Sequence, residues 1–154
     1  MAQLSQNMVI RPMVMEDYDA VYALWIATPG MGLNSIDDSR DGIGKYLERN
    51  PGFSFVATEG ETLVGVILCG HDGRRGVIHH TAVEPGYRGR GLGRALAEAA
   101  FAALRGAGVT KAWLVVKKSN APGNAFWARM GFEDRTDLTF RGVTLDETLV
   151  RIDT

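Results

Sequence analysis

The sequence holds one cysteine, Cys69, in 154 residues. A lone thiol cannot form an internal disulfide, which excludes the stapled secreted scaffolds and fits a reducing compartment such as the cytoplasm. It follows the apolar run at 63–68 and reads as a core thiol, with a reactive thiol as the alternative. An excess of charge of either sign is also missing: 17 Lys and Arg oppose 18 Asp and Glu, for a net charge of −1. With almost no long-range field, general nucleic-acid and membrane-surface binding are not expected, and any positive patch must be local. No apolar run approaches the ~18 residues of a membrane span. Residues 1–7 are polar and lack the basic-then-apolar order of a signal peptide, so they are expected to be a loose tail before a single domain at 8–154. There is no internal repeat and no low-complexity linker.

What is there is an ordered alternation of strand and helix patterns. Residues 8–11 read as a strand. Val21, Tyr22, Leu24 and Trp25 recur at helical spacing after the acidic start Glu16-Asp17, and the helix stops at Pro29-Gly30. A loop covers 33–37. A second helix runs to Arg49, capped by Asp38 or Ser39. Strands at 53–58 and 62–68 turn through Gly60-Glu61, and a fourth spans 76–83. A helix over 91–105 buries a stripe of Leu92, Leu96, Ala99 and Ala103, with an outward Arg94–Glu98 pair. An apolar run at 112–116 reads as a strand covered on both faces. A short helix at 121–130 and a hairpin of 132–140 with 143–152 complete the chain. This order predicts an α+β fold of three layers, α/β/α, with a mixed, mostly antiparallel sheet and a central β-α-β crossover.

The segment at 87–96 carries the chemistry. Gly89, Gly91 and Gly93 alternate with Arg88, Arg90, Leu92 and Arg94 between a strand and a helix. Such a turn offers bare N–H groups and the positive end of a helix dipole to phosphate oxygens. A dinucleotide fingerprint fails, because the glycines read G-x-G-x-G and the residue about 20 positions past Gly91 is Lys111 rather than an acid. A P-loop fails too, because Leu92-Gly93 stand where Lys-Ser or Lys-Thr is needed.

Arg88, Gly91 and Gly93 instead fill the pattern [Arg/Gln]-x-x-Gly-x-Gly/Ala, preceded by Ala82-Val83-Glu84-Pro85. Downstream, the block at 119–132 matches Asn-x-x-Ala-x-x-Phe-Tyr-x-x-x-Gly-Phe from Asn120 through Phe132, with Trp127 at the tyrosine position. In these motifs and their order the chain resembles the GNAT superfamily of acetyl-CoA-dependent N-acetyltransferases over roughly residues 8–150. The resemblance implies a GNAT-like fold and acetyl-CoA as co-substrate. It implies pyrophosphate contacts from Arg88, Gly89, Arg90, Gly91, Leu92, Gly93 and Arg94. It implies pantetheine contacts from Ala82, Val83 and Asn120, and places Trp127 against the donor. Asn120 also reads as a helix cap. No metal is expected.

Acyl transfer to an amine needs a base for the ammonium proton and a proton for the departing thiolate. At two positions the chain departs from its relatives. Trp127 replaces the tyrosine that many of them use as general acid. Val115 stands where ribosomal-protein N-terminal acetyltransferases carry a glutamate base. The remaining candidates are His79, His80 and Glu84. In a regular strand the two histidines face opposite sides, and His79, matching a catalytic histidine of serotonin N-acetyltransferase, is favoured; a bulge would break that alternation.

The loop at 32–38 is a candidate lid. Asp37 and Asp38 read either as attractors of a cationic amine or as helix caps, and Trp25, Tyr22, Met31 and Phe140 as pocket walls or core. The expected activity is transfer of acetyl from acetyl-CoA to a primary amine of a small molecule or peptide, with a homodimer left open. A CoA-binding module with little transferase activity is the alternative, and a cofactor-free interaction domain a third reading.

Overall fold

The computed structural model describes residues 4–154. Strands are β1 (Met8–Pro12), β2 (Leu33–Asn34), β3 (Phe55–Glu59), β4 (Thr62–His71), β5 (Gly76–Val83), β6 (Ala112–Trp113) and β7 (Arg151–Ile152). Helices are α1 (Tyr18–Ile26), α2 (Arg40–Arg49), α3 (Leu92–Gly106) and α4 (Ala121–Arg129). The main sheet has the order β1-β3-β4-β5-β6, antiparallel except for the parallel β5–β6 pair that flanks the α3 crossover. β2 and β7 form a separate two-stranded ladder. One apolar layer, from Val21, Leu24, Trp25, Ile43, Val66 and Ala82, joins the sheet to α1 and α2. The other joins it to α3 through Ile67, Cys69, Ile78, Leu92 and Leu96. The expected three-layer α+β fold is present.

Local chemistry explains the helix boundaries. Ser39, not Asp38, caps α2: its Oγ accepts from Gly42 N–H at 3.0 Å. Asp17 does not cap α1. Its carboxylate accepts both ends of the Arg11 fork, at 2.7 and 2.8 Å, and Val14 N–H at 2.9 Å. The buried stripe of α3 is Leu92, Leu96, Ala97, Ala100 and Leu104, so Ala99 and Ala103 flank it rather than form it. Residues 1–3 of the expected tail lie outside the described residues. Just beyond them the chain is fastened, with Ser5 Oγ donating to Glu59 and the Asn7 carbonyl accepting from Gly60 N–H.

Three sequence expectations are corrected. The hairpin expected from 132–140 and 143–152 is absent apart from β7. Asp137 and Asp146 there accept local bonds from Arg135 and Thr148, which compete with a ladder. Leu138, Phe140, Val143 and Leu145 are 61–92% exposed. Second, β6 ends at Trp113, and the rest of 112–116 is covered on one face only: Leu114 packs toward α3 while Trp113 and Val115 are exposed. Third, the loop at 33–37 contains a strand, β2, and is tied to residue 150 by paired bonds between Ser35 and Val150.

Candidate active site

Strand β5 organises the site. Opposite β4 its register slips: Val66 pairs with Ala82 and Leu68 with His79, so Ile67 faces both His80 and Thr81. This is a bulge with one extra residue on β5. His80 takes φ of +39°, the one non-glycine residue with positive φ among those described. That backbone costs an L-residue about 1–2 kcal/mol, and tertiary bonds hold it. Trp25 Nε1–H, fully buried, donates to the His80 carbonyl at 3.0 Å.

The bulge cancels the alternation expected of a regular strand. Both imidazoles lie on the α1/α2 side, with ring centroids 6.0 Å apart; His79 meets the Tyr46 ring edge-on at 5.9 Å and His80 meets Trp25 at 5.1 Å.

His80 Nε2 lies 2.7 Å from Asp38 Oδ1, and the two side chains are 16% and 5% exposed. Asp38 is itself held from behind: Oδ2 accepts Asn34 N–H at 2.8 Å, and its carbonyl accepts the Tyr18 hydroxyl at 2.7 Å. A carboxylate can only accept from the neutral imidazole, so this contact selects the Nε2–H tautomer and leaves Nδ1 with the free lone pair. Asp38 therefore acts neither as a cap nor as a surface attractor. Nothing in the sequence pairs it with a histidine 42 residues away. For His79, burial first and the adjacent His80 second lower the imidazole pKa, against the opposing pull of Asp38 and Asp37.

β5 and β6 pair only at Gly76–Ala112 and Val77–Trp113. From Ile78 to Val83 the β6-side edge of β5 has no strand partner among the described residues, which opens a wedge beside the histidines. Beyond Val83 the chain makes a short turn at Pro85–Tyr87 and enters the glycine loop. Gly89 and Gly91 have φ of +75° and +83°, a backbone that glycine adopts freely. Gly91 begins α3 with no side-chain cap. Among the described residues the N–H groups of Gly89, Gly91, Leu92, Gly93 and Arg94 have no protein acceptor, and the first α3 bond runs from Ala95 to the Gly91 carbonyl. Gly93 serves helix packing instead, since a Cβ there would sit 3.2 Å from the Phe126 ring. Five free amides at a helix start suit a diphosphate.

The side chains of this loop are engaged elsewhere. Arg88 Nε donates to the Val83 carbonyl at 3.0 Å, the Arg90 guanidinium lies 5.0 Å above the Tyr87 ring, and Arg94 pairs with Glu98 at 3.6 Å. The Leu92 side chain is in the core, so only its amide faces the loop mouth. Asn120 caps α4, its Oδ1 accepting from Gly123 N–H at 3.0 Å, while its Nδ2 has no partner among the described residues. Trp127 packs against Phe126 and Phe132, at 4.8 and 5.3 Å between centroids, in the layer with α3. Glu84 is exposed at the far end of β5, and the structure does not join it to the histidines. Of the expected pocket walls, Trp25 is core, Tyr22 and Met31 pack beside it, and Phe140 is 72% exposed.

A sequence model of the acetyltransferase (GNAT) family matches residues 18–132. The chain belongs to that family. It is 29% identical over 143 residues to an acetyltransferase of Pectobacterium atrosepticum, covering 93% of this chain and 96% of the relative. Its fold is similar to that of Ard1 from Thermoplasma volcanium, with a TM-score of 0.73 at 22% identity over 82% of this chain and 83% of the other. It is also similar to the ribosomal-protein-S18-alanine N-acetyltransferase of Escherichia coli, with a TM-score of 0.66 at 25% identity over 84% and 79% of the two chains. The GNAT fold is thus established, as is membership among acyltransferase enzymes. No helix among the described residues is long and apolar enough to cross a membrane, and no group of His, Cys, Asp and Glu among them is arranged to hold a metal ion.

Proposed function

We propose that the protein transfers the acetyl group of acetyl-CoA to a primary amine by direct attack within a ternary complex, working in the cytoplasm. One relationship carries this reading: the open edge of β5 has two histidines beside it and runs into five free amides at the start of α3. The amides from Gly89 to Arg94 would hold the donor's diphosphate, with Arg88, Arg90 and Arg94 free to exchange their present contacts for phosphate oxygens. The unpaired edge at Ala82 and Val83, with Asn120 Nδ2, would align the pantetheine arm.

His80 Nδ1 takes the proton from the amine as its nitrogen bonds to the acetyl carbonyl carbon. The carbon–sulfur bond then breaks, the electron pair leaves on sulfur, and the thiolate takes a proton from solvent or the imidazolium. The products are the N-acetylated amine and free coenzyme A. Asp38 sets the His80 tautomer and stabilises the charge that forms. His79, kept neutral by burial, is the second base available. Trp127 lacks an acidic hydroxyl and contributes packing, and Val115 contributes no base.

The test is coenzyme A release with a broad amine panel, alongside calorimetry with acetyl-CoA. Binding with amine-dependent thiol release supports transfer. Binding without turnover on every amine would instead leave a CoA-binding module.

A further inference from the structure

A cavity of about 210 Å³ lies on the same sheet face as the histidines, at the opposite end of the wedge from the glycine loop. Val77 and Trp113, the last β5–β6 pair, belong to its lining, as do Tyr46, Arg49 and Asn50 from the end of α2. His71, Asp72 and Arg75 complete it. Tyr46 connects cavity and site, because its ring also touches His79.

Three features mark this cavity as an anion subsite. The guanidinium groups of Arg49 and Arg75 have no carboxylate within ion-pair distance among the described residues. The Tyr46 hydroxyl is buried and has no hydrogen-bond partner, the one such side-chain atom among those described. A buried hydroxyl left unpaired is costly, and this one lies against Gly70, the β4 partner of the lining residue Val77. One carboxylate in the lining, Asp72, opposes the two guanidinium groups and leaves them in excess; one of its oxygens accepts the amides of Arg74 and Arg75. His71 Nδ1 accepts Gly73 N–H, and Asn50 Oδ1 accepts His71 N–H.

We infer that the acceptor is a small amino acid-like molecule whose carboxylate docks between Arg49 and Arg75, beside Tyr46, while its amine reaches His80. The inference rests on the acetyl-transfer reading. The field along the face has the matching polarity, with the exposed Asp37 toward the amine end and the two arginines toward the other. Val77 in the lining and His80 are three residues apart on β5, so the cavity lies within about 10 Å of the base along the strand. An ω-amino acid or a short peptide with an acidic group can span such a gap.

The test compares δ-aminovalerate, pentylamine and cadaverine as acceptors, in the native protein and in an Arg49→Gln/Arg75→Gln variant. In parallel, glutarate is titrated into both proteins with the donor site saturated by coenzyme A. The native protein is expected to favour δ-aminovalerate over pentylamine by about tenfold or more in kcat/KM, as suits charge-assisted bonds. The variant is expected to bring that ratio toward one without changing the KM for acetyl-CoA, and to lose glutarate binding. Equal or better use of pentylamine or cadaverine by the native protein overturns the anion subsite and leaves acetyl transfer standing. If none of the three amines is acetylated, the broad amine panel decides the transfer reading and the glutarate titration decides the subsite alone: binding lost in the variant upholds it, and no binding overturns it.

Discussion

Asp38 and His80 meet at 2.7 Å between Oδ1 and Nε2, across the interface of the α2 leader with the bulge of β5. The pair is built from both sides: Asn34 and Tyr18 hold Asp38, and Trp25 holds the His80 carbonyl. Replacing Asp38 by Asn leaves the volume unchanged but removes the charge and the fixed tautomer. Turnover at saturating substrates should fall by about 10²-fold, at the lower end of what general-base catalysis contributes, with the KM for acetyl-CoA unchanged. Steady-state kinetics on a variant with native circular dichroism checks it; an unchanged kcat would remove Asp38 from the mechanism.

Gly91→Glu should abolish acetyl-CoA binding. It forces an L-residue to φ of +83° and sets a carboxylate among the free amides. The backbone strain alone is about 1–2 kcal/mol, so the fold should survive. Calorimetry with coenzyme A decides the matter, and native affinity in the folded variant would remove the loop from the donor site.

Gly42 lies where a Cβ would fall on the carbonyl oxygens of Ile36 and Asp37. Gly42→Ala should therefore push the Asp38 segment off α2 and lower stability by about 1–3 kcal/mol, as overpacking does. Urea denaturation measures this, and a midpoint equal to the native one would show that the loop yields freely.

His79 gives stability a pH dependence. Its folded pKa lies below the ordinary 6.5, chiefly through burial, so the unfolded chain binds the proton more readily. The stabilisation is complete above pH 6.5, declines as the pH falls through that value, and is gone below the folded pKa. His79→Gln should flatten this part of the stability curve in denaturation midpoints taken across the range. Parallel curves for the two proteins would mean that His79 titrates freely in the fold.

Cys69 is fully buried, and burial pushes its thiol pKa up to about 12. Alkylation by iodoacetamide at neutral pH should be slow in the native protein and fast in denaturant. Rapid native labelling would contradict the core assignment.

Much of this architecture is legible in the sequence because its signals are local. The Ser39 cap, the glycines around Arg90, the Leu92 and Leu96 part of the α3 stripe and the Asn120 cap each act within a turn or two, and the helices they bound lie where the periodicity predicts. The Asp38–His80 pair is not local, and no spacing rule joins residues so far apart. The bulge at His80 depends on β4 register and on Trp25, so an alternating strand is the natural reading and the common face of His79 and His80 is invisible. At 132–150 the β-prone residues mislead because Asp137 and Asp146 satisfy backbone and side-chain donors locally.

The most direct measurement is the rate of amine acetylation by His80→Gln at saturating acetyl-CoA, with donor affinity measured in the same preparation. If His80 is the base, turnover falls by about 10²- to 10⁴-fold with donor binding intact. A variant that acetylates the amine at the native rate would contradict that role.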